Sequence, residues 1–204
     1  MQPYLQTTPF TCAASSLLTI LHHFHPQIEL NPENEFKIWR ETVTLPTRGS
    51  SIFALANYAK KQGLNPRIVV ESKKYGFPDY RFYRYTKEDI DQAAFSSSLH
   101  LKEAEKNQIP IEEREITLEE IKKELNQKNI LILRINAKPL RNEKRNTSNY
   151  IIVLGYNSGY YQIIDPKVGA VSIPEETVKE AFETLETKKY RDHRMMVFEG
   201  KNLV

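Results

Sequence analysis

Apolar side chains recur at helical spacing in the first part of the chain. This spacing predicts three helices, which run from Cys12 through Phe24, from Pro32 to near Pro46, and from Ser51 to Gln62. A short apolar run at residues 67–71 predicts a strand. Residues 86–106 are polar and charged with a weak helical period, so they predict an exposed helix or a pair of helices.

Short apolar runs bounded by turn residues dominate the second half. They predict strands at 112–116, 130–135, 150–156, 160–164, 170–173 and 194–198, and a last helix at 174–185. Thr117 and Glu120 have the spacing of a capping box, which predicts a helix to about Gln127. Residues 157–159 are typical of a hairpin turn. This order indicates an α+β fold, with N-terminal helices packed on a mostly antiparallel sheet.

The composition is that of an ordinary soluble globular protein, with 40% hydrophobic and 27% charged residues. The length of 204 residues favours a single domain over 1–204. No apolar run approaches the roughly 20 residues that span a bilayer, and the N-terminus lacks a secretory pattern. The single cysteine allows no internal disulfide, as in a reducing compartment. We therefore expect a cytoplasmic protein without a membrane segment, and its oligomeric state stays open.

The net charge of +3 is too small to indicate nucleic acid by itself. The strongest local excess of positive charge, at residues 138–145, predicts a solvated loop. Aromatic and basic side chains are interleaved at residues 75–85, a pattern that can stack on bases. No RNA-binding fingerprint accompanies it, which favours a loop that packs its rings on the domain or lines a substrate groove. We expect no nucleic-acid partner, although binding through these two segments stays the third alternative.

Cys12 is the candidate nucleophile. In the first turn of a helix, unpaired amides and the macrodipole favour a thiolate. Gln6 precedes it by six residues, and its amide could donate one hydrogen bond to an oxyanion, with a backbone amide as the other donor. A lone cysteine is more often a small buried apolar residue, and a nucleophilic thiol also needs a base.

Two later segments extend this pattern. Residues 149–156 form a buried strand, and residues 160–166 form its hairpin partner, which ends in Asp165 and a proline. With Gln6 and Cys12, they resemble the papain-like bacteriocin-processing peptidases, which cleave double-glycine leader peptides, and more closely their stand-alone relatives. The resemblance implies a papain-like fold over most of the chain. It also implies Cys12 as nucleophile, Gln6 as oxyanion donor and Asp165 as the acid that orients a histidine.

The sequence departs from that family at the histidine position, which Asn149 occupies. A carboxamide cannot accept a proton near neutral pH or return it to a leaving amine. The glycine that usually follows the cysteine is replaced by Ala13, a change that a helix tolerates. The site residues predicted from the resemblance are therefore Cys12, Gln6, Asp165 and Asn149, without a base.

The five histidines offer no evident substitute. Three of them, within residues 22–25, lie about 15 Å or more along the helix from Cys12, at about 1.5 Å per residue. His100 and His193 are expected at the surface. The cluster at 22–25 lacks carboxylates or thiols at ligand spacing, so we predict no metal and no cofactor.

Two hypotheses about function remain at this stage. In the first, the protein is a cysteine-dependent peptidase or amide hydrolase in which Cys12 is retained and the base is supplied unusually. In the second, it is a catalytically inactive pseudopeptidase that binds a peptide or protein in the former substrate groove. The retained Cys12 and Gln6 motivate the first hypothesis, and Asn149 motivates the second.

Overall fold

The computed structural model describes residues 1–75, 85–189 and 191–200. Its helices are α1 (Cys12–Phe24), α2 (Pro32–Thr42), α3 (Ile52–Lys61), α4 (Lys87–Lys106), α5 (Leu118–Asn126), α6 (Ala137–Arg141) and α7 (Glu175–Thr187). Its strands are β1 (Arg67–Val70), β2 (Ile111–Glu113), β3 (Ile130–Asn136), β4 (Ser148–Asn157), β5 (Tyr160–Asp165), β6 (Gly169–Pro174) and β7 (Arg194–Phe198). Among the described helices, none is long and apolar enough to cross a membrane.

The seven described strands form one sheet in the order β2-β1-β7-β3-β4-β5-β6. The pair β1–β2 is parallel, and the other described pairs are antiparallel. One face of the sheet packs with α1, α2, α3 and α4 into a hydrophobic core, and the other packs with α5 and α7 into a second core. The predicted α+β class, with N-terminal helices on a mostly antiparallel sheet, is confirmed.

Successive side chains of a strand point to opposite faces of the sheet, so the strand positions decide which polar side chains lie on the same face as each core. Ile132, Ile152 and Met196 belong to the core that contains α1. Arg134 and Arg194 lie two residues from Ile132 and Met196 on their strands, so they occupy the same face. This face therefore carries cationic side chains near the α1 core, at the end of the sheet where β3 finishes and β7 begins.

Several boundaries differ from the prediction. Helix α2 ends at Thr42 and not near Pro46, because the chain folds back there: the Ser51 amide donates to the Thr42 carbonyl at 2.8 Å. Strand β2 is Ile111–Glu113 and not 112–116, because its partner β1 ends at Val70, opposite Glu113. Hydrogen bonds to a neighbouring segment, more than the apolar run itself, therefore determine where α2 and β2 end.

Two helices also differ from what the sequence pattern indicates. Residues 87–106 form the single helix α4, which begins with a capping box between Thr86 and Asp89 and buries four side chains. A short helix, α6 (Ala137–Arg141), overlaps the stretch 138–145 for which the sequence predicts a solvated loop. At α5, the Thr117 side chain caps the Glu120 amide at 3.2 Å, but the Glu120 carboxylate pairs with Arg114. The predicted capping box is therefore only half formed.

Candidate functional site

The N-terminal segment and the start of β4 hold the first turn of α1 in place. The Ser15 hydroxyl donates to the Tyr4 carbonyl at 2.8 Å, and the Tyr4 amide donates to the Thr19 hydroxyl at 3.1 Å. The Ser16 hydroxyl donates to the Tyr150 carbonyl at 3.2 Å. These bonds fix the helix start, with Cys12 as its first residue, against the strand that begins beside Asn149.

A cavity of about 480 Å³ opens at this junction. Cys12 and Asn149 both line it, with exposed fractions of 9% and 6%. Phe10 and the described ends of the aromatic segment, Tyr75 and Tyr85, also contribute to its wall. Residues 76–84 of that segment lie outside the described residues. The structure thus brings together two of the four predicted site residues around one cavity.

Burial raises the pKa of the Cys12 thiol above its usual value. The backbone amides of Tyr150 and Ala13 and the positive charge of Arg141 act in the opposite direction, but they do not outweigh desolvation. The thiol is therefore protonated at neutral pH. The shift toward thiolate expected from the helix start is not found, because the same packing that places Cys12 there removes it from water.

Asp165 is paired with an arginine. The Nε and Nη2 atoms of Arg141 donate to its Oδ2 and Oδ1 atoms at 2.8 Å each, in a two-pronged pair. The Lys167 backbone amide donates to Oδ1 at 2.7 Å. The side chains of Arg141 and Asp165 are almost fully buried. Both carboxylate oxygens are thus occupied. The prediction of a solvated loop at 138–145 is wrong for Arg141, whose burial depends on this distant partner.

Gln6 is held by hydrogen bonds of its backbone and its side chain. Its backbone amide donates to the Pro166 carbonyl at 2.7 Å, which places it next to the turn after Asp165. Its side-chain Nε2 donates to the Thr8 carbonyl at 2.7 Å, and Oε1 is buried without a partner among the described residues. Neither Gln6 nor Asp165 is among the residues that line the cavity. The oxyanion role of Gln6 stays a prediction.

All five histidines lie within the described residues, and none of them lines this cavity. His193, expected at the surface, is buried: its Nδ1 lies 2.7 Å from Oε1 of Glu71 and its Nε2 lies 3.0 Å from the Phe182 carbonyl. Glu186 joins His193 and Glu71 in a group with metal-ligating atoms within 4.8 Å of one another. Because both His193 nitrogens already have protein partners, this group is explained by internal pairing.

A buried glutamate anchors the segment that leads to Cys12. Glu35 accepts hydrogen bonds from the Tyr4 hydroxyl at 3.1 Å, the Thr7 amide at 3.0 Å and the Thr7 hydroxyl at 2.6 Å. We expect Glu35→Ala to lower the free energy of unfolding by about 3 kcal/mol, because the buried Tyr4 hydroxyl and two Thr7 donors lose a carboxylate acceptor. Urea denaturation measures this loss. The exposed Glu41 on the same helix is the matched control, and equal small losses in both alanine variants would contradict the anchoring role.

The α+β fold, with the helix that begins at Cys12 packed on a mostly antiparallel sheet, matches that of papain-like C39 peptidase structures. A C39-like peptidase from Bacillus anthracis shares this fold, with a TM-score of 0.51 and 12% identity over 96% of this chain and 93% of that one. A double glycine motif protease from an AMS/PCAT transporter, solved in complex with the leader peptide, gives a TM-score of 0.49 and 16% identity over 97% and 92%. The sequence search finds no match among curated proteins.

The model of the Peptidase_C39 like family matches residues 1–203. The chain therefore belongs to the Peptidase_C39 like family. The resemblance drawn from the sequence is confirmed at the level of family and fold.

Proposed function

We propose that the protein is a pseudopeptidase, which binds an extended peptide in the cavity beside Cys12 without cleaving it, and that it works in the cytoplasm. The observation that carries this proposal is the buried two-pronged pair between Arg141 and Asp165. In the family pattern, the aspartate orients a histidine. Here an arginine takes up the carboxylate, and Asn149 occupies the position of the histidine.

The chemistry of the cavity supports the loss of catalysis. Attack by Cys12 requires a thiolate, and burial keeps the pKa of this thiol above its usual value. The carboxamide of Asn149 cannot take the proton of the thiol, and none of the histidines lines the cavity. A guanidinium offers hydrogen-bond donors and no acceptor, so Arg141 cannot act as the base either. Each of these features opposes the deprotonation of Cys12 that attack on a peptide bond requires.

The cavity itself supports peptide binding. Its volume of about 480 Å³ lies within the usual range of ligand sites. Aromatic side chains of Phe10, Tyr75 and Tyr85 line it together with polar groups, a mixture that suits a peptide with both apolar and hydrogen-bonding parts. Membership of a peptidase-like family indicates which class of ligand such a groove would accept.

The rate at which iodoacetamide modifies Cys12 tests the proposal. We expect the rate in the folded protein to keep rising with pH beyond the pKa of a free thiol, about 8.5, without a plateau near neutrality. Mass spectrometry follows the modification, and the same chain unfolded in urea is the control, with the pH dependence of an ordinary thiol. A plateau well below pH 8.5 in the folded protein would instead support an active cysteine peptidase.

A further inference from the structure

Several buried polar side chains around the cavity lack a hydrogen-bond partner. Among the described residues, six side-chain polar atoms are buried without one, and three of these belong to residues that line the cavity. They are the hydroxyl oxygens of Ser51 and Ser97 and Nη2 of Arg134. By contrast, the hydroxyls of Thr44 and Thr47, on the same wall, donate to backbone carbonyls at 2.8 and 2.7 Å. The loss of catalysis does not explain why half of the unpartnered atoms lie at one cavity.

The two serines lie at the same end of a pair of helices. Helices α3 and α4 run side by side in the same direction. Their successive contacts join Asn57 Nδ2 to the His100 carbonyl at 3.1 Å and Lys61 Nζ to Glu103 Oε1 at 3.1 Å. Ser97 precedes His100 by nearly one turn of α4, and Ser51 is the N-cap of α3. The Ser51 side chain makes no capping hydrogen bond, so its hydroxyl is available to a ligand.

Arg134 reaches the same end of α3 from the sheet. Cζ of Arg194 lies 5.7 Å from the ring centroid of Phe53, in the first turn of α3. Asp192 joins the two arginines, because Oδ2 accepts from Arg194 Nε at 2.6 Å and Oδ1 lies 3.3 Å from Arg134 Nη1. Arg134 Nε donates to the Ser148 hydroxyl at 3.2 Å. Arg134 therefore has a counter-charge, and Nη2 is the only nitrogen of its guanidinium without a partner among the described residues.

The chemistry of these three atoms favours a neutral ligand group. Nη2 of Arg134 can only donate, whereas the hydroxyls of Ser51 and Ser97 can both donate and accept. An amide group matches this set, because its carbonyl oxygen accepts from Nη2 and its N–H donates to a hydroxyl oxygen. A carboxylate would add a buried charge, and its desolvation would need a counter-charge where Arg134 is already paired with Asp192.

We infer that Ser51, Ser97 and Arg134 form an amide-binding subsite in the cavity beside Cys12. The amide is either the side-chain carboxamide of an asparagine or glutamine in the bound peptide or one of its main-chain amides. A buried polar group without a partner costs free energy, so a ligand that supplies the missing hydrogen bonds gains affinity. The inference rests on the proposed function, and it adds the chemical group that the cavity recognises.

The stability of the free protein gives the first measurement. We expect Ser97→Ala to leave the Tm unchanged or raised, because the hydroxyl that it removes has no hydrogen bond to lose. The matched control is Ser98→Ala, at the next position of α4. The Ser98 hydroxyl donates to the Phe95 carbonyl at 2.7 Å, and Ser98 is not among the described residues that line the cavity.

Peptide binding gives the second measurement. The probes are acetylated hexapeptide amides of varied sequence, each made with glutamine, methionine or glutamate at one position. Fluorescence anisotropy gives the dissociation constants, and protection of Cys12 from iodoacetamide reports whether a peptide occupies the cavity. We expect Ser97→Ala to weaken binding about fivefold, as for one neutral hydrogen bond, and Ser98→Ala to leave it unchanged. Ser51→Ala repeats the test at the start of α3.

The pattern of weakening identifies the source of the amide. If only the glutamine forms lose affinity in Ser97→Ala and Ser51→Ala, the subsite binds a side-chain carboxamide. In that case the glutamine form should bind the wild type about tenfold more tightly than the methionine form, which has a similar length and no amide. If all three forms lose affinity equally, the subsite binds a main-chain amide. Both patterns support the inference.

The remaining outcomes separate the subsite from the function on which it rests. Peptides that protect Cys12 and bind equally well to the wild type, Ser97→Ala and Ser51→Ala would overturn the subsite and leave peptide binding standing. Tighter binding of the glutamate form than of the glutamine form would also overturn it, because the subsite would then select an anion. If no peptide binds or protects Cys12, the pseudopeptidase proposal fails, and the subsite fails with it.

Discussion

Peptide hydrolysis is expected to appear when Asn149→His is combined with Arg141→Gln, and not with Asn149→His alone. The histidine supplies a proton acceptor in the cavity that holds Cys12. In the single variant, Arg141 still occupies both oxygens of Asp165, so the new imidazole lacks its orienting carboxylate. In the double variant that carboxylate is released. A positioned general base contributes about 10² to 10⁴ in rate, and we expect a gain within this range over the single variant.

The measurement is the hydrolysis of fluorogenic peptides, together with the pH dependence of Cys12 alkylation. Adding Cys12→Ser to the double variant should abolish the new hydrolysis, which would show that the thiol is responsible. Asn149→Gln with Arg141→Gln is the matched control, because it alters the same two positions without adding a base. Equal activity of Asn149→His with and without Arg141 would contradict the role assigned to the arginine.

Much of the fold follows from local sequence signals. The apolar spacing and the start at Cys12 predict helix α1, which the structure has at Cys12–Phe24. The hairpin of β4 and β5 was predicted from two apolar runs and the turn residues between them. Boundaries were less accurate where a partner decides them, as at β2, whose length follows that of β1.

The candidate site was less predictable, because its decisive features are contacts between distant residues. Arg141 and Asp165 are 24 positions apart, and nothing in the basic stretch around Arg141 distinguishes a buried ion pair from a solvated loop. The buried Arg134 and Arg194 likewise lie on β3 and β7, which meet only when the sheet forms. The protonated state of Cys12 depends on how completely the start of α1 is buried. The preference for a thiolate at a helix N-terminus can be inferred from the sequence, but this burial cannot.

The burial of Arg141 and Asp165 makes a second large effect expected, on stability. Arg141→Gln should lower the free energy of unfolding by about 3–5 kcal/mol, because it leaves Asp165 as a buried charge without its partner. Asp165→Asn should cost a similar amount for the converse reason. The double variant should lose much less than the sum of the single variants, since neither charge then remains alone. Urea denaturation at pH 7 of the four proteins gives the coupling.

The exposed pair between Lys61 and Glu103 provides the control, with Nζ 3.1 Å from Oε1. Glu103→Gln should cost less than about 1 kcal/mol, as for exposed ion pairs. Equal losses at Glu103 and Arg141 would show that the buried pair contributes no more to stability than an exposed one. Adding Asn149→His to Arg141→Gln joins the two predictions, because an imidazolium that pairs with Asp165 should recover part of the lost stability. Recovery that disappears when Asp165→Asn is also present would show that the new histidine is held by that carboxylate.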